Sequence, residues 1–163
     1  MKQFKKTLDM IHELTQYVLF ALLSAMVVIV FAQVIFRFVL HASLPWSEEA
    51  ARYIMVWISM LGASIGLRSR GHIGVEALVM IFPASIRRFI SVIATIVAGI
   101  FFAGVVFYGF KILKVVAAQE SPAMESSMAI PYSSIMVGAV LMLLYSIEEL
   151  ARLVSDGEGR LVQ

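Results

Sequence analysis

Trp46, Glu48, Glu49, Arg52, Tyr53 and Trp57 are the residues with most chemistry to offer, and they crowd into one stretch. Two carboxylates, a guanidinium and three aromatic rings at these spacings suit a helix start. Glu48 and Glu49 then fall in the first turn, where the helix dipole favours negative charge, with Ser47 or an upstream residue as the cap. Glu48 and Arg52 are four apart and Glu49 and Arg52 three apart, so either carboxylate can pair with the guanidinium. Glu49, Tyr53 and Trp57 share one face, with Trp46 roughly above them. Two acids and one Arg leave the cluster net negative, open to a Lys or Arg from a partner helix. Buried pairing of that kind sets register more reliably than it adds stability. The plainer alternative is an interfacial belt, with Trp and Tyr at headgroup depth and Arg52 snorkelling to water. Nucleophilic and thiolate chemistry has little to build on. There is no Cys, which excludes disulfides and thiolate metal sites.

The elements that position this stretch follow from composition. The 163 residues make one domain by length, 1–163. Residues of the set AVILMFWYC make up 61% and charged residues only 15%, against roughly 45–50% and about 25% in soluble chains. A soluble domain this small cannot hide that much apolar surface. A soluble enzyme, a nucleic-acid binder and a disordered chain are all excluded. A net charge of +2 does not call for a polyanion either. Four stretches approach the ~20 apolar residues that cross a bilayer: Tyr17 to Phe36, Arg52 to Leu67 with Trp46 to Ala51 as its amphipathic lead-in, Phe89 to Phe110, and Met128 to Ile147. Continuous runs favour helices over the alternating segments of a barrel. Pro45, Pro83 and Pro122 fall in connections and Pro131 in the first turn of the fourth helix, where proline is tolerated.

The expected fold is therefore an all-α integral membrane protein with four transmembrane helices. Nine Lys and Arg residues fall on the side of Lys2, Lys5, Lys6, Arg68, Arg70, Arg87, Arg88, Arg152 and Arg160, against four for Arg37, Arg52, Lys111 and Lys114. Both termini are expected to be cytoplasmic. The first span is too long for a signal-peptide core and lacks an A-x-A site, so it is expected to be retained. Phe4, Leu8, Ile11 and Leu14 continue the first helix before its span, and Ile147, Leu150, Ala151 and Val154 continue the fourth beyond it. Glu148 and Arg152, four apart, support that extension. Ile73 to Phe82 is apolar but too short to cross. It reads as a short interfacial helix between the second and third spans, or as a loop buried between subunits.

The spans carry no Asp, Glu, Lys, Arg or His at mid-depth, where transport and proton-relay sites are built. No proline breaks a span centre. His12, His41 and His72 lie outside the spans, which argues against a membrane haem protein. No cofactor or metal is expected. Gly62 and Gly66 form G-x-x-x-G beside Ser59 and Ala63, a pattern that lets helices approach closely, within the bundle or between subunits. A four-helix membrane chain with no site of its own is most simply a companion to something larger. The alternative is a self-contained homodimeric four-helix transporter.

The run from Leu44 through Tyr53, then Trp57, Gly62-Ala63, Arg68 and Gly71-His72-Ile73, resembles the small membrane subunit, DctQ type, of tripartite ATP-independent periplasmic (TRAP) transporters. The resemblance covers roughly Tyr17 to Tyr145. Ser121-Pro122-Ala123-Met124 and Ile130-Pro131 also look like family features. A Trp often found between those prolines is replaced here by Glu125-Ser126-Ser127-Met128. The resemblance implies a multi-pass protein of a bacterial inner membrane. Its partners would be a large membrane subunit with the substrate and sodium sites, a periplasmic substrate-binding protein, and membrane lipids. It implies structural or contact roles for Trp46, Glu48, Glu49, Arg52, Arg68 and His72. Because the chain closes on the polar run before Gln163, a separate large subunit is expected.

Overall fold

The computed structural model describes residues 2–70 and 83–158. Four helices account for nearly all of them: α1 (Lys2–Phe38), α2 (Pro45–Arg70), α3 (Ala84–Val116) and α4 (Ala129–Glu158). Each contains a window long and apolar enough to cross a membrane. Among the described residues there is no strand, only an isolated bridge between Glu120 and Ser127. The all-helical, four-span architecture expected from hydropathy is what forms. The expected interfacial helix, Ile73 to Phe82, and His72 lie outside the described residues.

Proline and polar residues set the helix borders. Pro45 is the first residue of α2 rather than part of a connection, a position where its missing N–H costs nothing. Ser47 therefore sits inside the first turn, and its hydroxyl donates to Leu44 O at 2.7 Å. Pro83 precedes α3, and Pro131 lies in the first turn of α4.

Order in space differs from order in sequence. The principal packings join α1 to α2, α2 to α4, and α4 to α3. The helices thus form a row, α1–α2–α4–α3, with the last helix of the chain inserted between the second and third. None of the α1 apolar window is buried and only 6% of that of α3, against 39% for α4. Leu61, Ala139, Met142 and Tyr145 are core residues of the central pair. The α2–α4 crossing is tight at Gly138. A Cβ there would stand 2.9 Å from Met60 Cβ and 3.2 Å from Met60 O. Ser64 and Ser134 are fully buried near this seam. Their hydroxyls donate to Leu61 O and Pro131 O at 2.7 and 2.6 Å, and Ser146 donates to Met142 O at 2.8 Å. Each thereby satisfies itself on its own helix, which a dry surrounding demands.

Both expected helix extensions are present. Leu8 is buried and Ile11 half-buried, but Leu14 is 62% exposed, so the expected apolar face of early α1 turns outward before the span begins. Along the end of α4, Ile147 and Val154 are exposed, and Glu148 and Leu150 are the more sheltered residues. Only the faces that lie against a neighbouring helix end are covered; the rest of each stripe has nothing to pack on.

Candidate functional site

Polar groups gather at the two ends of the row. At the end carrying the α1–α2 and α3–α4 connections, Glu49 is 4% exposed. Its Oε1 accepts from the Tyr53 hydroxyl at 2.5 Å. Its Oε2 accepts from the backbone N–H groups of Ala123 and Met124 at 2.9 and 3.0 Å. Tyr53 Oη also lies 3.2 Å from Met128 Sδ, and Trp57 Nε1 donates to Ile130 O at 3.1 Å. Glu49, Tyr53 and Trp57 do share one face, and that face grips residues 117–128 and the first turn of α4. The connection is itself ordered by Ser121 N–H donating to Ser126 O and Met128 N–H to Gln119 O, at 2.8 and 2.9 Å. Glu125 adopts a left-handed backbone, φ 50°, which a non-glycine residue takes at a cost of about 1 kcal/mol.

The pairing expected with Arg52 does not occur. Glu49 faces two backbone donors that have no other partner among the described residues, and a buried carboxylate gains most there. Glu48 accepts instead from Gln33 Nε2 of α1 at 3.1 Å. Arg52 points outward, is exposed, and forms no ion pair among the described residues. Trp46 is 46% exposed. At the same end, on α3, Lys111 Nζ lies 4.5 Å over the Phe107 ring and Lys114 Nζ 4.7 Å over that of Phe110.

Glu49→Ala is expected to release the 117–128 connection while the four helices stay folded. Limited proteolysis of the purified chain should show cleavage there accelerated roughly tenfold, since local opening governs access. Arg52→Leu should leave cleavage unchanged. Equal acceleration by both variants would restore the Glu49–Arg52 pair.

At the other end, Arg68 joins three helices. Its Nε and one terminal nitrogen donate to Glu148 of α4 at 3.0 and 3.2 Å. The same terminal nitrogen reaches Asp9 of α1 at 2.6 Å, and the other donates to Leu8 O at 2.9 Å. The guanidinium carbon lies 5.1 Å from the centre of the Tyr145 ring. Edge-on to that ring, 6.0 Å between centres, is His12, whose Nε2 lies 3.2 Å from Gln16 Nε2. Glu148 is thus taken by Arg68, and Arg152 pairs with Glu149 at 2.9 Å instead of the expected Glu148. Sequence reasoning missed Asp9, His12, Tyr145 and Glu148 as a group. The available signal was the helical continuation of α1 and α4, which sets acids opposite an Arg at the end of α2.

Gly62 and Gly66 are not used inside the row. A Cβ at either would meet nothing within 4 Å. With exposed Ser59 and Ala63 they make an open, shallow face along α2.

The family model described as "Tripartite ATP-independent periplasmic transporters, DctQ component" matches residues 26–156. The C4-dicarboxylate TRAP transporter small permease protein DctQ of Vibrio cholerae is 28% identical over 91 residues, 56% of this chain and 39% of that protein. The sialic acid TRAP transporter permease protein SiaT of Haemophilus influenzae is 35% identical over 79 residues, 48% of this chain and 13% of that protein. The isethionate TRAP transporter permease protein DctMQ of Oleidesulfovibrio alaskensis is 28% identical over 135 residues, 78% of this chain and 21% of that protein. The chain thus spans less than two fifths of the length of each of these relatives. The matched stretch runs from mid-α1 to the end of α4 and takes in both polar clusters apart from the α1 residues before the span. This multi-pass membrane chain belongs to the DctQ-component family of the tripartite ATP-independent periplasmic transporters.

Proposed function

We propose that the chain is the small scaffold subunit of a secondary, sodium-coupled TRAP transporter in a bacterial inner membrane, with both termini cytoplasmic. Its partners are a large membrane subunit, which holds the substrate and sodium sites, and a periplasmic substrate-binding protein. The relatives' names speak of C4-dicarboxylates, sialic acid and isethionate, so the substrate class is an organic acid. The single observation that carries this reading is the open face of Ser59, Gly62, Ala63 and Gly66. Lipid tails need no small residues to pack on; an approaching helix does. That face is where the large subunit seats. The wholly unburied apolar window of α1 is further surface for it.

Gly62→Leu combined with Gly66→Leu is expected to abolish co-purification with the large subunit and to stop uptake in cells. The melting temperature of the isolated chain should not fall, because a Cβ at either position meets nothing within 4 Å among the described residues. Undiminished co-purification removes this face from the interface. Substrate uptake into liposomes holding this chain alone would overturn the scaffold reading in favour of a self-contained transporter.

A further inference from the structure

Among the described residues, Arg37, Arg52, Lys111 and Lys114 are the Lys and Arg residues at the end of the row that carries the α1–α2 and α3–α4 connections. Three of them rest on rings of their own helices: Arg37 over Phe38 at 5.8 Å, Lys111 over Phe107 at 4.5 Å and Lys114 over Phe110 at 4.7 Å. A cation that faces lipid gains from such a ring and still reaches water. Arg52 is the exception. Its exposed side chain has no ring, ion pair or hydrogen bond among the described residues. The two acids within helical reach are otherwise engaged. Glu48 accepts from Gln33, and Glu49 from Tyr53 and two backbone N–H groups. Neither lies within ion-pair distance of Arg52.

The place of Arg52 on α2 gives this leftover charge a direction. From Glu48 to Ala63, the exposed residues of α2 are Glu48, Arg52, Met55, Ser59 and Ala63. Steps of three and four put all five on one face. Arg52 is therefore near the outer end of the face where the large subunit seats. Ser59 is seven residues on, roughly 10 Å along the axis. A helix resting on the small residues at a crossing of about 40° still passes within reach of a long Arg side chain. Seating it strips water from a charge that has no partner, and that is costly unless the incoming surface brings a carboxylate.

Resting on the scaffold reading, we propose that the helix of the large subunit seated on α2 carries an aspartate or glutamate opposite Arg52. The planar guanidinium fork takes a carboxylate through two parallel hydrogen bonds. The pair fixes register. Small residues recur on this face about once per turn, at Ser59, Gly62 with Ala63, and Gly66. They allow a close approach in more than one register, each a turn apart. A single charge pair at one end of the seam removes that freedom.

The test uses the chain co-expressed with its large subunit. Met55→benzoylphenylalanine places a photo-cross-linker one turn from Arg52, at a side chain already large and 52% exposed. Illumination is expected to join the chain to the large subunit through a segment that contains an Asp or Glu. Arg52→Glu is expected to cut the co-purifying large subunit roughly a hundredfold, because like charges then meet. Arg52→Lys keeps the charge and should lose far less. Changing the acid of the cross-linked segment to Arg should restore the complex of Arg52→Glu. Arg52→Gln guards against a folding defect: alone it should melt with the parent chain, yet co-purification should still fall about tenfold. A cross-link to the large subunit, with co-purification untouched by Arg52→Glu, overturns the ion pair and leaves the face standing. A cross-linked segment with no acid does the same. No cross-link, or one to a second copy of this chain, overturns the face and the pair with it.

Discussion

Gly138→Leu is expected to separate α2 from α4 and leave the chain without a core. The position has no room: an added Cβ already falls 2.9 Å from Met60 Cβ and 3.2 Å from the Met60 carbonyl oxygen. A flexible side chain can move aside, but the carbonyl belongs to the α2 backbone. Overpacking costs typically about 1–3 kcal/mol, and a leucine against backbone should reach or pass the upper end. Gly138→Ala should give a smaller loss in the same direction. Thermal unfolding of the full chain in detergent reads both. Gly62→Leu is the internal control, since its site is open. If Gly138→Leu melts with the parent chain, the tight crossing is wrong, and with it the arrangement of the central pair.

The second large effect is expected at Arg68. Arg68→Leu strands Glu148, which is 23% exposed, beside a buried tyrosine. Losing one partner of a buried pair costs about 3–5 kcal/mol. Asp9 is 57% exposed and keeps its water, so about 2–3 kcal/mol is a fairer expectation. The first turns of α1 should come loose before anything else, because Arg68 also holds Leu8 O. Trypsin cleavage after Lys5 and Lys6 reports that release. Adding Glu148→Leu to Arg68→Leu should recover part of the loss, since the uncompensated charge goes with it. A double variant as unstable as the sum of its parts would mean that the two groups do not interact.

The spans and their borders were legible in the sequence because lipid imposes one rule: long apolar runs with proline at their edges. The helical continuation of α1 and α4 was legible from periodicity. Partner choice was harder. Spacing along a helix shows which carboxylate can reach Arg52, but not that Ala123 and Met124 bring Glu49 two donors from 74 and 75 residues away. The same limit hid Arg68, whose partners lie 59 and 80 residues distant. A lone Arg at a helix end reads as a topology signal until the opposing helix ends are placed beside it. The glycines divide in an instructive way. Gly62 and Gly66 carry the familiar spacing and meet nothing, while Gly138, four residues after Ser134 in a stripe of small residues, is the one with a helix against it. Spacing shows that a close approach is possible and says nothing of which surface makes it.

The interleaved helix order also bears on biogenesis. As the ribosome delivers the chain, α1 and α2 can pair as soon as both are inserted. The third segment then enters the bilayer with no extensive neighbour, because its principal contact is to α4, and must wait there alone. Only the final segment, sliding in between two helices already present, closes the row. A nascent chain halted before residue 129 would therefore hold α3 as a solitary helix free to drift from the first pair.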